Sequence, residues 1–233
     1  MSAPTYRTVL IVGAGSGLSA SLARLLAKAG LRIALAARSP DDLAGLAAET
    51  GAKAFACDAS QEDQVARLFT AVEAALGAPD VAIYNASFRT RGAFTELVPA
   101  DVEKTIAVSA FGAFLVAQAA AKRMLPNRHG AIFFTGASAS VKGYAKSAPF
   151  AMGKFALRGL SQSIARELQP QGIHVAHFVI DGGIRSKRRP VPDDKPDSLL
   201  DPDAIAQTYL DVLRQPRSAW STEVELRPWV ENF

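Results

Sequence analysis

A glycine-rich turn, Gly13-Ala14-Gly15-Ser16-Gly17-Leu18, follows an apolar, β-rich run at residues 8–12 and opens a helical pattern. Glycines in that position let backbone N–H groups approach a phosphate, and the start of a helix adds favourable partial positive charge. A tight strand-to-helix turn without a ligand is the competing reading. The second apolar run ends Ala36-Ala37-Arg38-Ser39. An acid there suits a dinucleotide with a free ribose 2′-hydroxyl, whereas a basic residue suits a 2′-phosphate, which the planar guanidinium of Arg38 can grip. The two features together predict a dinucleotide site that favours NADP(H) over NAD(H). A solvated surface arginine is the alternative for Arg38.

Other reactive residue types are sparse. His129, His174 and His177 are too scattered for a metal site, and no metal is expected. His174 and His177 lie three apart on an apolar run and so face opposite sides of a strand. The single cysteine, Cys57, excludes a disulfide within the chain and fits a reducing, cytoplasmic setting. It precedes Asp58 at a strand end and reads as a buried, inert thiol. Arg185, Lys187, Arg188 and Arg189 form a basic cluster suited to an anionic small-molecule substrate or to a solvated loop.

These residues must be positioned by the rest of a 233-residue chain that is 49% hydrophobic and 21% charged, an ordinary globular composition. The net charge is +4, with no basic stripe interleaved with aromatics, so no nucleic-acid partner is expected. The amino-terminal residues 1–8 are polar, and the longest apolar tract, 109–121, falls short of the roughly 18–20 residues of a span, so no membrane partner is expected.

Strand-like runs at 8–12, 32–37, 53–57, 81–85, 131–135, 174–180 and 222–226 alternate with helical patterns. The helices are placed at 17–30, 40–50, 61–76, 100–124, 147–169 and 202–213, with Ser60 as an N-cap. The strands are continuous apolar runs, the pattern of a parallel sheet covered on both faces. The fold class is therefore α/β, one Rossmann-like doubly wound domain over 1–233 with about seven strands and a loop at 185–203. Residues 107–121 and 150–160 are apolar around most of the helix circumference, which predicts burial by another copy in a homo-dimer or homo-tetramer. Trp220 and Trp229 read as packing or interface anchors.

Over almost its whole length the chain resembles the short-chain dehydrogenase/reductase family. Gly13-x-x-x-Gly17-x-Ser19 is similar to the family's glycine motif, with Ser19 for the last glycine. Cys57-Asp58 and Asn85-Ala86-Ser87 resemble the motifs after the third and fourth strands. Lys154 matches the lysine of the catalytic helix, and Asp181-Gly182-Gly183 resembles the Pro-Gly turn after the sixth strand. The resemblance implies pyrophosphate binding by Gly13, Gly15, Ser16, Gly17 and Leu18. It places Asp58 and Ala59 at the adenine, Asn85, Ala86 and Ser87 at the adjacent ribose, Lys154 at the nicotinamide ribose, and Gly183 and Ile184 at the carboxamide. It also places the loop at 185–203 over the substrate. The tail, 218–233, lacks the family's glycine-rich ending.

The departures bear on catalysis. The family's general acid/base tyrosine, four residues before the lysine, corresponds to Phe150, which carries no proton. Its carbonyl-polarising serine corresponds to Ala137, with Ser138 next and Ser140 beyond, and its asparagine to Ser109. A phenyl ring supplies neither the general acid, worth about 10²–10⁴-fold, nor an oxyanion donor. Tyr144 and Lys154 are the candidate substitutes, a substrate that needs no enzyme acid is a third route, and Ser138 is the expected substrate hydrogen-bond donor. The resulting expectation is an NADP(H)-dependent oxidoreductase for a small carbonyl, alcohol or activated alkene. A catalytically silent NADPH-binding sensor or partner subunit is the alternative.

Overall fold

Five buried residues, Thr8–Val12, form β1 in the interior of the sheet, since a strand this apolar is stable only where both faces are covered. The computed structural model describes residues 5–230; residues 1–4 of the polar amino-terminal stretch and 231–233 of the tail lie outside them. The other strands of the main sheet are β2 (Arg32–Ala37), β3 (Lys53–Ala56), β4 (Val81–Tyr84), β5 (Gly130–Thr135), β6 (Ile173–Ile180) and β9 (Glu223–Leu226). All pairings are parallel, in the order β3-β2-β1-β4-β5-β6-β9. The strand order reverses at β1, which lies between β2 and β4, and the crevice beyond the strand carboxyl ends at that point is where such sheets bind ligands.

The helices are α1 (Leu18–Lys28), α2 (Ala44–Thr50), α3 (Glu62–Leu76), α4 (Pro99–Ile106), α5 (Gly112–Met124), α6 (Ala148–Leu168) and α7 (Pro202–Leu213). Alternate residues of β1 enter opposite cores. Leu10 and Val12 join Phe69, Val116 and Leu157 from α3, α5 and α6. Val9 and Ile11 join Leu22, Leu26 and Leu210 from α1 and α7. Each fully buried large aliphatic or aromatic side chain contributes roughly 1.5–3 kcal/mol. The α7 helix has the bounds its sequence predicts, because Pro202 sits in its first turn and the Asp201 side chain accepts from the Asp203 N–H.

Several sequence expectations are corrected. Ser60 does not cap α3: the N-cap is Gln61, and the Ser60 hydroxyl donates to Asp58 Oδ1 at 2.7 Å. The helix expected at 100–124 is broken by a π turn, Ala107–Phe111, where the Tyr84 hydroxyl donates to the Val108 carbonyl. The loop at 185–203 is not wholly irregular, since β8 (Leu199–Leu200) pairs with β7 (Gly183–Ile184). The helical stretch Pro99–Asn127 is long and apolar enough to cross a membrane by length and composition, contrary to the count of consecutive apolar residues; half of its most apolar window is buried within the fold. Trp220 stacks on His174 at 4.6 Å, whereas Trp229 is 81% exposed and donates from Nε1 to Asp197 Oδ2 at 3.0 Å.

Candidate active site

The turn after β1 is tied to the turn after β4. Gly13 has φ +83°, and its N–H donates to the Ala36 carbonyl at 2.9 Å. Its own carbonyl accepts from Ser19 Oγ at 3.0 Å and Asn85 Nδ2 at 3.3 Å, and Asn85 Nδ2 also donates to Ser19 Oγ at 2.7 Å. Ser19 and Asn85 thus hold the loop in shape. An added Cβ at Gly13 would stand 2.3 Å from Ala86 N, whereas at Gly15 or Gly17 it would meet nothing within 4 Å. Closed beneath and open above, this cradle fits a pyrophosphate.

A cleft of about 640 Å³ runs from the cradle along the strand ends. It brings together Gly13, Gly15, Ser16, Arg38, Asp58, Ala59, Asn85, Ala86 and Ser87. Asp42, Phe88 and Val108, which the sequence did not single out, also line it. Asp58 is held below the usual carboxylate range, first by the Ser60 hydroxyl and then by the Ser60 N–H and the charges of Arg38 and Lys104, against the effect of burial. Cys57 is buried, and burial followed by the Asp58 charge pushes its thiol up to about 11, so it stays protonated.

A second cleft of about 440 Å³ is lined by Gly17, Leu18, Thr135, Ala137, Gly182 and Ile184, among others. Arg188 lines both clefts. Gly183 lies beside the second, where an added Cβ would meet Leu199 Cδ2 at 2.8 Å and Arg189 Nη1 at 2.9 Å. Lys154, nearly two turns into α6, is 3% exposed and donates from Nζ to the Thr135 carbonyl at 2.8 Å. Burial lowers its pKa to about 8. The Thr135 hydroxyl is fixed by Tyr209 at 2.9 Å. The Phe150 ring, 8% exposed, lies 5.8 Å from Lys154 Nζ and 4.7 Å from the Arg89 guanidinium carbon. No sequence signal marked Arg89: it sits in a loop with no periodicity, and its neighbour Phe150 is 61 positions away.

The remaining candidates are placed differently. Ser138 hydrogen-bonds to Asp181. Burial favours the neutral acid at Asp181, but the hydrogen bonds of Ser138 and Lys142 and the charges of Lys142 and Arg227 outweigh it and hold the carboxyl below its ordinary range. Tyr144 is 48% exposed and lines neither cleft. Arg185 is paired with Asp201 at 2.7 Å, which removes it from the basic cluster.

A Ser-His-Glu sequence of contacts lies behind the site. Ser140 Oγ is 3.3 Å from His177 Nε2, and His177 Nδ1 is 3.2 Å from Glu223 Oε2. Ser140 is wholly buried, and its oxygen accepts from the Ala137 N–H at 3.1 Å, so it is a loop clamp rather than an accessible nucleophile. Burial is the main cause that lowers both His174 and His177 to about 4, so both are neutral near pH 7. Among the described residues, no group of three or more His, Cys, Asp or Glu could hold a metal ion.

Known proteins share this arrangement of elements. Residues 7–189 match the short chain dehydrogenase family. A 3-oxoacyl-[acyl-carrier-protein] reductase of Mycobacterium tuberculosis is 33% identical over 178 residues, covering 76% of this chain and 69% of that protein. An uncharacterised oxidoreductase of Staphylococcus aureus is 26% identical over 98% of this chain and 100% of its own length. A crystal structure of a short-chain dehydrogenase from Rhodopseudomonas palustris superposes with a TM-score of 0.83 at 34% identity, covering 97% of this chain and 100% of that one. A metagenomic short-chain oxidoreductase solved with NADP gives a TM-score of 0.83 at 27% identity, covering 97% and 98%. With its glycine cradle at the strand-order switch and a buried lysine at the head of α6, the chain belongs to the short-chain dehydrogenase family of oxidoreductases.

Proposed function

We propose that this chain is an NADP(H)-dependent oxidoreductase for a small organic carbonyl, alcohol or activated alkene, with Phe150 at the family's tyrosine position and Lys154 as the proton donor. The observation that carries this reading is the line of clefts along the strand ends, with Arg38 toward one end and the buried Lys154 ammonium behind the other. Among the described residues no hydrogen bond or ion pair engages the Arg38 guanidinium, which leaves its fork for a 2′-phosphate. The bound NADP of the metagenomic relative supports the phosphorylated form.

NADPH, when bound, supplies the hydride. Gly15, Ser16, Gly17 and Leu18 hold the pyrophosphate, Asp58 and Ala59 border the adenine, and Asn85, Ala86 and Ser87 flank the adjacent ribose. Gly183 and Ile184 meet the carboxamide. Lys154 uses one N–H on Thr135 and has two left, enough for a ribose hydroxyl and for the substrate oxygen. With a pKa of about 8 the ammonium is mostly protonated at pH 7 and close to ideal as an acid. Tyr144 ranks behind Lys154 because of its exposed position, and the Ser138 hydroxyl must leave Asp181 to serve a substrate.

Energy transfer from tryptophan to NADPH, together with turnover on a carbonyl and enone panel, tests the proposal. Saturable NADPH binding with turnover of a panel member supports it. Binding without turnover, and no gain from Phe150→Tyr, assigns the silent sensor or subunit instead. No NADPH affinity overturns both.

Arg38→Ala is expected to weaken NADPH binding by about 10–100-fold, the size of a charge-assisted contact, and to leave NADH binding within about twofold. Calorimetry with both cofactors checks it, and equal losses for the two would refute the 2′-phosphate role.

The oligomer follows from exposed apolar side chains. Phe111 at the end of the π turn, Phe114 in the first turn of α5, and Met152 and Phe155 on α6 are exposed, and α6 packs against both the π turn and α5. A second copy covering this face forms a homo-dimer, or a homo-tetramer through a further contact. Phe114→Asp combined with Phe155→Asp is expected to convert the assembly to monomers in sedimentation velocity. An unchanged sedimentation coefficient places the interface elsewhere. The buried, unreactive Cys57 suits a reducing compartment such as the cytoplasm.

A further inference from the structure

Two loops that line the larger cleft, through Phe88 and Arg188, carry guanidiniums with no carboxylate partner among the described residues. The loop after β4 carries Arg89, over the Phe150 ring at 4.7 Å, and Arg91 two residues on. The loop after β7 carries Arg188, which lines both clefts, and Arg189, whose Nη1 is 2.9 Å from the place of a Cβ on Gly183. Phe88, beside Arg89, and Arg188 line the same cleft, and after burial the charges of Arg91 and Arg189 lower the Arg89 pKa.

Among the described residues, Arg24, Arg67, Arg123, Arg158, Arg185 and Arg227 each pair with a carboxylate, whereas Arg38 and several surface arginines do not. Among the described residues, none of Arg89, Arg91, Arg188 and Arg189 forms such a pair. All four are exposed, so a ligand can reach them, and their shared field draws anions toward the cleft. The Phe150 ring supports the Arg89 guanidinium and so reduces the ordering cost of gripping a planar anion.

We propose that Arg89, supported on Phe150, and Arg188 with Arg189 across the cleft form a clamp for a carboxylate or phosphate carried by the substrate next to its reacting carbon. This rests on the oxidoreductase reading and narrows its substrate class to anionic compounds. It also gives Phe150 a role as a platform for a cation instead of a proton donor. The same guanidiniums suit a second source of anion, the cofactor's own phosphates.

Calorimetry with malonate and with inorganic phosphate, each titrated into cofactor-free and NADPH-saturated protein, separates these sources. The wild type is expected to bind malonate or phosphate with NADPH in place. Arg89→Met, which keeps an unbranched stem over Phe150, is expected to weaken that binding at least ~tenfold, the worth of a charge-assisted contact, and to leave the NADPH Kd within about twofold. Arg89→Lys, which keeps the charge and loses the fork, should fall between. If Arg89→Met weakens NADPH binding in parallel, and the anions bind only where NADPH is absent, the arginines serve the cofactor and the clamp is overturned. Unchanged anion affinity in Arg89→Met, or no anion binding by the wild type, also overturns it. Anion binding through Arg89 in a protein with no NADPH affinity would sustain the clamp and sink the cofactor reading.

Discussion

Gly13→Ala is expected to lower NADPH affinity more than ~100-fold and to lower Tm by several degrees. The new Cβ would stand 2.3 Å from Ala86 N, 2.4 Å from its Cα and 2.8 Å from its Cβ, so the obstruction is backbone that no side-chain rotation relieves. The φ of +83° adds left-handed strain of roughly 1 kcal/mol for a residue with a side chain. Escape is blocked because the Gly13 carbonyl is held by Ser19 and Asn85 and its N–H by the Ala36 carbonyl. Relief therefore separates the turns after β1 and β4, which together form the cradle, and a disturbance of about 3 kcal/mol there is a ~100-fold change in Kd. Gly15→Ala is the matched control. Its Cβ meets nothing within 4 Å, so it fills ligand space without straining the fold: affinity should fall while Tm holds. Differential scanning fluorimetry and calorimetry on both variants check the pair. A Gly13→Ala protein with wild-type Tm and affinity would show that the cradle is not where the cofactor binds.

What the sequence reveals and what it hides follow from how far apart the deciding contacts lie. The strands were legible because runs such as Val9-Leu10-Ile11-Val12 are apolar on both faces, which only an enclosed parallel strand tolerates. The α7 bounds were legible because Asp201 and Pro202 are local start signals. Ser60 was misread because it had a nearer partner, Asp58, and its hydroxyl went to the carboxylate instead of capping α3. The π turn could not be read, since it depends on the Tyr84 hydroxyl reaching Val108 from another element, and on Gly112 packing where an added Cβ would stand 2.7 Å from the Ala59 carbonyl. The residues that line the larger cleft were legible as short motifs at strand ends. The Arg89–Phe150 contact was not: it joins a loop to a helix 61 positions on, and neither residue type at that distance announces the other.

Lys154→Met is expected to lower turnover at least ~100-fold and to stabilise the protein near neutral pH. The first effect is the loss of the proposed general acid, with no tyrosine one turn before it to compensate. The second follows from burial. The folded pKa is about 8 against an ordinary 10.5, so between those values the unfolded chain holds a proton that the folded chain has released. Stability therefore rises with pH from about 8 to 10.5. Below about 8 both states are protonated, and burying the ammonium costs the full difference, on the order of 3 kcal/mol. Methionine has similar reach and no charge, so the variant should gain most at pH 7, with the advantage shrinking toward pH 10. With Lys154 as the proposed proton donor, wild-type reduction is expected to weaken as pH rises through about 8 and oxidation to strengthen. A ¹³C-labelled lysine signal titrating near pH 8, absent from the variant, assigns the group without any substrate. Denaturant unfolding from pH 6 to 10 and turnover over the same range complete the test. A variant that lost stability as well as activity would make Lys154 a structural prop, and one that kept its turnover would show that the proton comes from elsewhere. Activity and stability moving in opposite directions on one substitution is the signature of a charge held in a dry place for the sake of the chemistry.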